Sequence, residues 1–188
     1  GGTGNDDIYG GDDADTIFGG AGLDEIAGDA GNDKIDGGAD ADVLEIGADF
    51  DDASDAQIVG IETANLTADG LTVNLGDQTE NLTINGFATG DSTITGGSGD
   101  DTISLGGGSP DNDADGIILT DGFGVDTIYA FDAPTPNSDG SFNGIDVFDV
   151  TTWTDGTDPG TAYDVTVTDD GSGNAQLTFP NGEAVILF

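Results

Sequence analysis

Six aspartates recur at nine-residue intervals near the N-terminus: Asp6, Asp15, Asp24, Asp33, Asp42 and Asp51. Each occupies the sixth place of a unit counted from Gly1: GGTGNDDIY, GGDDADTIF, GGAGLDEIA, GDAGNDKID, GGADADVLE and a weaker IGADFDDAS. Carboxylates set in tight turns among glycine carbonyls offer oxygen donors only, several at a time, which is the chemistry of a hard cation. The eighth place is aliphatic in the first five units, at Ile8, Ile17, Ile26, Ile35 and Leu44. In those units places one, two and four are Gly, or Asp at Asp13, Asp29 and Asp40, while the sixth unit opens on Ile46.

The spacing dictates the elements that must carry these groups. Six residues rich in glycine make a turn, because glycine tolerates positive φ and close backbone approach. Three residues remain for a short strand whose central side chain points inward. Successive turns then lie on alternate sides, and two units complete a coil of about eighteen residues. The eighth-place aliphatics stack into a thin core between two parallel sheets, and the aspartate turns form two rows along the edges. At roughly 1.5–3 kcal/mol per buried aliphatic, so thin a core does not offset an ordering cost of roughly 1–2 kcal/mol per residue. Bound metal has to supply the remainder. A disordered Gly/Asp linker is the bland alternative, and the strict register of the aliphatics argues against it.

Composition points the same way. The 188 residues hold 39 acids, 34 of them Asp, against a single base, Lys34, for a formal charge of −38. Such a density of like charge usually signals disorder, yet 35% of the residues are apolar and nine are Phe. Without Cys or His there is no thiolate or imidazole metal site, no Ser-His-Asp triad and no disulfide framework. One base does not neutralise a phosphate backbone, so nucleic acid is excluded as a direct partner. Membrane insertion is not expected either. The absence of Met suggests a processed or excised segment.

The N-terminal run resembles the RTX (repeats in toxin) family, whose GGxGxDxUx nonapeptide winds a calcium-binding parallel β-roll. The resemblance spans residues 1–52 and implies Ca²⁺ between each turn and the turn two units later. Carbonyls of places two and four and the sixth-place carboxylate come from the first turn; places one, three and six come from the later one. One ion would take Gly2, Gly4 and Asp6 with Gly19, Ala21 and Asp24. A second would take Gly11, Asp13 and Asp15 with Gly28, Ala30 and Asp33, and a third Gly20, Gly22 and Asp24 with Gly37, Ala39 and Asp42. A fourth pairs Asp29, Gly31 and Asp33 with Ile46, Ala48 and Asp51. About four ions are thus expected in residues 1–52.

Beyond the nonapeptides the expected fold is all-β throughout: a parallel β-roll over 1–54, longer solenoid rungs over 55–95, a second, degenerate RTX block over 96–129, and a small antiparallel β cap over 130–188. In the middle, Ile58, Ile61, Leu66, Leu71, Val73, Leu75, Leu82, Ile84 and Ile94 would continue the core. The stretch GIETANLT with GDQTENLTING is similar to bacterial surface-layer proteins of the RTX group. GGSGDDTIS resumes the pattern, and a further ion would lie between Gly97, Gly99 and Asp101 and the turn that ends on Asp126. The preceding unit has Ser92 in the ligand place. Thr93-Ile94-Thr95 resembles a fragment of an ice-binding threonine row, but one copy does not make a row. Two Asn-x-Thr sequons, at Asn65 and Asn81, read as rung residues rather than glycosylation sites. In the cap, GIDVFDVTTW, AYDVTVTDD, NAQLTFP and EAVILF read as antiparallel strands around Trp153, Phe142, Phe148, Phe179 and Phe188.

No nucleophile elbow, phosphate loop or zinc motif is present, and carboxylate pairs arise by chance among 39 acids; no catalytic activity is expected. The chain reads as a calcium-binding structural protein of a bacterial surface or extracellular matrix. The family resemblance implies type I secretion, unfolded in low Ca²⁺ inside and folded outside. It equally allows a non-catalytic module of a secreted enzyme, toxin or adhesin. With no cap before Gly1, partners would be further repeats, other copies head-to-tail, or cell-surface components.

Overall fold

The computed structural model describes residues 1–30, 32–51, 54, 56–106, 113–120, 122–131, 146–150, 166–169 and 175–188. Among them there is no helix, and hence none long and apolar enough to cross a membrane.

One long sheet runs the length of the molecule. Its strands Asp7–Asp12, Glu25–Ala30, Val43–Ile46, Thr63–Leu66, Thr83–Asn85, Thr102–Ser104, Val125–Tyr129 and Ala184–Leu187 are parallel neighbours in that order. Two short sheets face it. The first holds Gly2–Thr3, Thr16–Ala21, Lys34–Ala39 and Ile58–Val59; the second holds Phe50–Asp51, Thr72–Asn74, Thr93–Thr95, Gly116–Ile118 and Val147–Asp149. Through the nonapeptides and again from Thr63 to Val147–Asp149 successive described strands alternate between the walls, which makes a parallel solenoid.

The nonapeptide arithmetic holds through the first coils. Ile8 pairs with Ile26, Ile26 with Leu44, and Ile17 with Ile35, each eighteen residues on. Ile26, Ile35, Ile84, Ile94, Ile103 and Ile128 are fully buried, and every aliphatic expected to extend the core through the middle is buried as well. The inward side chains of the short strands, one or two to a strand, therefore build a thin core between the walls.

The wall facing the long sheet is split. After Ile46 the chain forms Phe50–Asp51, which pairs forward with Val73 and Asn74. It then returns to lay Ile58–Val59 beside Ile35 and Asp36, closing the first short sheet. The long sheet passes this switch without interruption, Leu44 pairing with Ala64.

At the C-terminal end one expected antiparallel strand belongs instead to the parallel stack, and another joins it on one side. Val147–Asp149 pairs parallel to Gly116–Ile118, and Ala184–Leu187 parallel to Val125–Tyr129. Phe148 thereby covers Ile117 and Leu187 covers Ile128, continuing the core of the rung before. Ala184–Leu187 also has an antiparallel neighbour as expected: Ala175–Thr178 pairs antiparallel with it on one side and with Thr166–Asp169 on the other, and the three strands end the long sheet. The hairpin into that last strand turns at Phe179-Pro180-Asn181-Gly182, where the Gly182 N–H donates to the Phe179 carbonyl at 3.0 Å and Gly182 has φ of 96°. Phe179 is buried edge-on against Phe123, and Phe148 stacks on Phe131. Phe188 is not a core residue: it continues the outward side of its strand, half exposed, and stacks on Tyr129. Trp153 and Phe142 lie outside the described residues.

Candidate metal centre

The turns stack as the strands do, and the stacking aims particular atoms at one another. The second or fourth places of these turns take left-handed backbone at Gly4, Gly11, Gly20, Gly22 and Gly38, though Gly2 does not. Asp13, Asp29 and Asp40 do so too, with φ of 72°, 66° and 79°. Asp tolerates this region through its short polar side chain, which is why it substitutes for glycine here.

The sixth-place carboxylates form ladders. Asp24 Oδ1 accepts the Asp6 N–H at 2.8 Å, Asp42 Oδ1 the Asp24 N–H at 2.8 Å, and Asp33 Oδ1 the Asp15 N–H at 2.9 Å. In Asp24, Asp33 and Asp42 one oxygen is thereby fixed. Oδ2 of Asp6, Asp15, Asp24, Asp42 and Asp101 is buried with no hydrogen-bond partner. A buried polar atom without a partner costs about 1–3 kcal/mol, and more when charged. A row of such atoms asks for a ligand.

Their surroundings define the cradle. A methyl group built on Gly10 would lie 2.8 Å from the Gly28 carbonyl oxygen and 3.1 Å from Asp15 Oδ2. One on Gly19 would meet the Gly37 carbonyl and stand 2.6 Å from Asp24 Oδ2, and one on Gly1 would meet the Gly19 carbonyl and Asp6 Oδ2. So the first-place carbonyl of the later turn and the orphaned Oδ2 of the earlier one converge on a space that only glycine leaves open. From the other side, the Gly2 and Gly4 carbonyls face Gly20 and Gly22, and the Gly20 carbonyl faces Gly38. Ala21 and Ala39 turn their carbonyls to the same gaps, where each already accepts an N–H, from Gly4 at 2.6 Å and from Gly22 at 3.2 Å. Gly11 and Asp29 are paired across the second gap, as are Asp12 and Ala30. Members of the first three expected ligand sets thus lie on turns stacked directly over one another.

The fourth is not. Gly31 lies outside the described residues. Ile46, Ala48 and Phe50 do line a small cavity with Gly28, Asp29 and Asp33. Asp51, however, is carried off to the second short sheet, where its carboxylate accepts the Asn74 side-chain amide at 2.6 Å. The extra residues between the two strands displace it: Ile35 is covered by Ile58, 23 residues on, rather than 18.

In the second block Asp126 Oδ1 accepts the Asp101 N–H at 3.0 Å, and Asp101 Oδ1 accepts the Leu82 N–H at 2.8 Å. The Gly99 carbonyl faces Gly124 in the turn above, while Gly97 and Gly99 rest on the carbonyls of Gln78 and Glu80 below. Burial pushes Asp101 up to about 6 and Asp126 up to about 8. Burial also raises Asp42, against the lowering effect of its bond to the Asp24 N–H. Carboxyls raised by burial with no countercharge fit a site whose charge comes from a cation.

Three ladder members escaped the sequence reading. Glu62 accepts the Asp42 N–H at 2.8 Å, extending the first ladder with a longer side chain. Asp115 accepts the Ser92 N–H at 2.7 Å, and Asp146 the Asp115 N–H at 3.0 Å. Their signal is an acid two residues before an inward side chain: Glu62 before Ala64, Asp115 before Ile117, Asp146 before Phe148. Among the described residues no three acids converge; each cradle pairs two carboxylates with carbonyls. All-oxygen donors of that kind fit Ca²⁺ better than Mg²⁺, which demands a tighter octahedron.

The fold and these cradles define a calcium-binding β-roll. Residues 1–26, 19–52 and 88–110 match the family model of the RTX calcium-binding nonapeptide repeat (4 copies). These stretches are thus similar to RTX repeats, which the family model describes as calcium-binding. No curated protein matches the chain.

Proposed function

We propose that the chain is a secreted bacterial structural component whose solenoid forms when Ca²⁺ fills the cradles between stacked turns. The orphaned Oδ2 atoms, each aimed into a glycine-lined gap, carry this reading. One ion is held by Gly2, Gly4, Asp6, Gly19, Ala21 and Asp24. A second is held by Gly11, Asp13, Asp15, Gly28, Ala30 and Asp33, and a third by Gly20, Gly22, Asp24, Gly37, Ala39 and Asp42. A further ion lies between Gly97, Gly99, Asp101 and the Asp126 turn. When bound, the cation supplies the positive charge that joins one turn to the next.

Asp24 belongs to two sets. Asp24→Ala is expected to weaken two sites together, lowering the calcium stoichiometry by calorimetric titration, whereas Asp51→Ala leaves it unchanged. Equal stoichiometry in the wild type and Asp24→Ala would contradict the assignment.

In this reading scarce Ca²⁺ inside the cell leaves a self-repelling polyanion fit for export, and abundant Ca²⁺ outside folds it. A structural role at the cell surface is supported by rungs that continue well past the nonapeptides, and by Tyr9 and Phe18, both exposed, on the outer faces of opposite walls. Sedimentation of the calcium-loaded chain tests it. Ordered polymers are expected; a monodisperse monomer would favour a non-catalytic module of a secreted enzyme, toxin or adhesin.

A further inference from the structure

The outer face of the long sheet changes character along its length. One outward row reads Asp7, Glu25, Val43 and then Thr63, Thr83, Thr102, Thr127. The row beside it reads Tyr9, Ala27, Glu45 and then Asn65, Asn85, Ser104, Tyr129. From Thr63 onward neither row carries a charge, in a chain where 39 of 188 residues are acids. A surface kept free of acids in such a polyanion is a local departure that solubility does not explain.

The contents of this strip are specific. Threonine suits any strand, but asparagine is depleted from strands, so Asn65 and Asn85 are not there for propensity. Their amides are aligned: Asn85 donates to Asn65 Oδ1 at 2.9 Å, and Asn65 to Glu45 Oε1 at 2.8 Å. At the far end Tyr129 and Phe188 stack with centroids 4.9 Å apart, and both remain exposed, at 42% and 51%. Exposed aromatics beside a flat field of hydroxyls and amides offer both halves of sugar recognition. Hydroxyl and amide groups exchange hydrogen bonds with ring hydroxyls, and an aromatic platform receives the apolar C–H face of a pyranose.

We propose that this strip, from Thr63 to Phe188, binds an extended neutral polysaccharide. The charge pattern selects among occupants. A polyanion is repelled by the rest of the molecule. A peptide strand needs an open edge, and here the strands are already paired on both sides. Five strands at about 4.8 Å spacing give a track of roughly 19 Å, long enough for a short run of sugar rings.

Affinity electrophoresis of the calcium-loaded chain tests this, in native gels containing mixed-linkage β-glucan, galactomannan or dextran, with alginate as a charged comparison. Retardation by a neutral polysaccharide is expected. Tyr129→Ala should weaken it by roughly tenfold, the scale of a buried aromatic anchor. Tyr9→Ala, at a more exposed tyrosine of the same sheet flanked by Asp7 and Glu25, should leave it unchanged, and both variants should keep the wild-type circular dichroism in Ca²⁺. Free migration through all three neutral gels would overturn the proposal, and so would undiminished retention of Tyr129→Ala. Retention confined to alginate, where Ca²⁺ bridges two polyanions, or inhibition of ice growth without glycan binding, would assign the strip to another partner and overturn it equally.

Discussion

In excess chelator the chain is expected to lose its β-sheet circular dichroism signal, and added Ca²⁺ to restore it. Three features of the fold combine to require this. The core is a thin layer of aliphatics between walls, joined by Phe123 and Phe179, and shares the ordering cost among few side chains. The net charge of −38 opposes compaction with almost no internal compensation. Five of the buried carboxylates keep an unpaired oxygen. A cation that binds only the stacked turns converts its binding free energy into folding free energy. Acid modulates the metal-free state in a defined direction. Asp101 and Asp126, raised to about 6 and about 8, hold protons in the fold that the unfolded chain has released above about pH 4. The metal-free fold therefore loses stability as pH rises from about 4 through about 8, has lost the Asp101 contribution by neutral pH, and is weakest in chelator above about pH 8. Titration of the ellipticity at neutral pH measures this directly. A substantial β signal persisting in excess chelator would show that the walls hold without the ion, and the folding-switch reading would fail.

What the sequence made legible was whatever keeps the eighteen-residue register. Asp6, Asp24 and Asp42 fall into one ladder because nothing is inserted between Ile8, Ile26 and Leu44. The register is lost where five extra residues separate Ile35 from its cover, Ile58, and there Asp51 keeps the motif's spacing but not its place in the stack. Periodicity counts residues along the chain, whereas a cradle depends on which turn lies above which. The same reason hid Asp115 and Asp146: their units are preceded by irregular inserts, so no nine-residue frame reached them, although the local acid-x-apolar pattern was intact. Val147–Asp149 was read as antiparallel on its composition. Its direction is set by the rung beneath it, Gly116–Ile118, which the composition does not contain. The uncharged strip on the long sheet is visible only once Thr63, Thr83, Thr102 and Thr127 are placed side by side, because their spacings along the chain are 20, 19 and 25 residues.

Gly19→Ala is expected to be among the most damaging single-methyl changes in the chain, and Gly2→Ala among the least. Both are glycines of nonapeptide turns, and neither takes the left-handed backbone that penalises a side chain by itself. They differ in what the new methyl meets. At Gly2 nothing lies within 4 Å; at Gly19 the methyl would run into the Gly37 carbonyl and stand 2.6 Å from Asp24 Oδ2. That is the space on which the third proposed ion's ligands converge. Overpacking of this kind costs about 1–3 kcal/mol, and exclusion of the ion adds to it. A total of about 3 kcal/mol would lower the melting temperature by roughly 6–12 °C in a chain of this size. Gly2→Ala should stay within about 0.5 kcal/mol of wild type, as surface changes generally do. The comparison separates two accounts of the glycines that Asp24→Ala does not. Removing a carboxylate deletes a donor, whereas Gly19→Ala keeps every proposed donor atom and removes only room. If calcium stoichiometry falls in Gly19→Ala while Gly2→Ala binds normally, the repeat's first glycine exists to leave a cavity of ionic size. If both variants bind and melt alike, the gap between Gly19, Asp24 and Gly37 holds no ion.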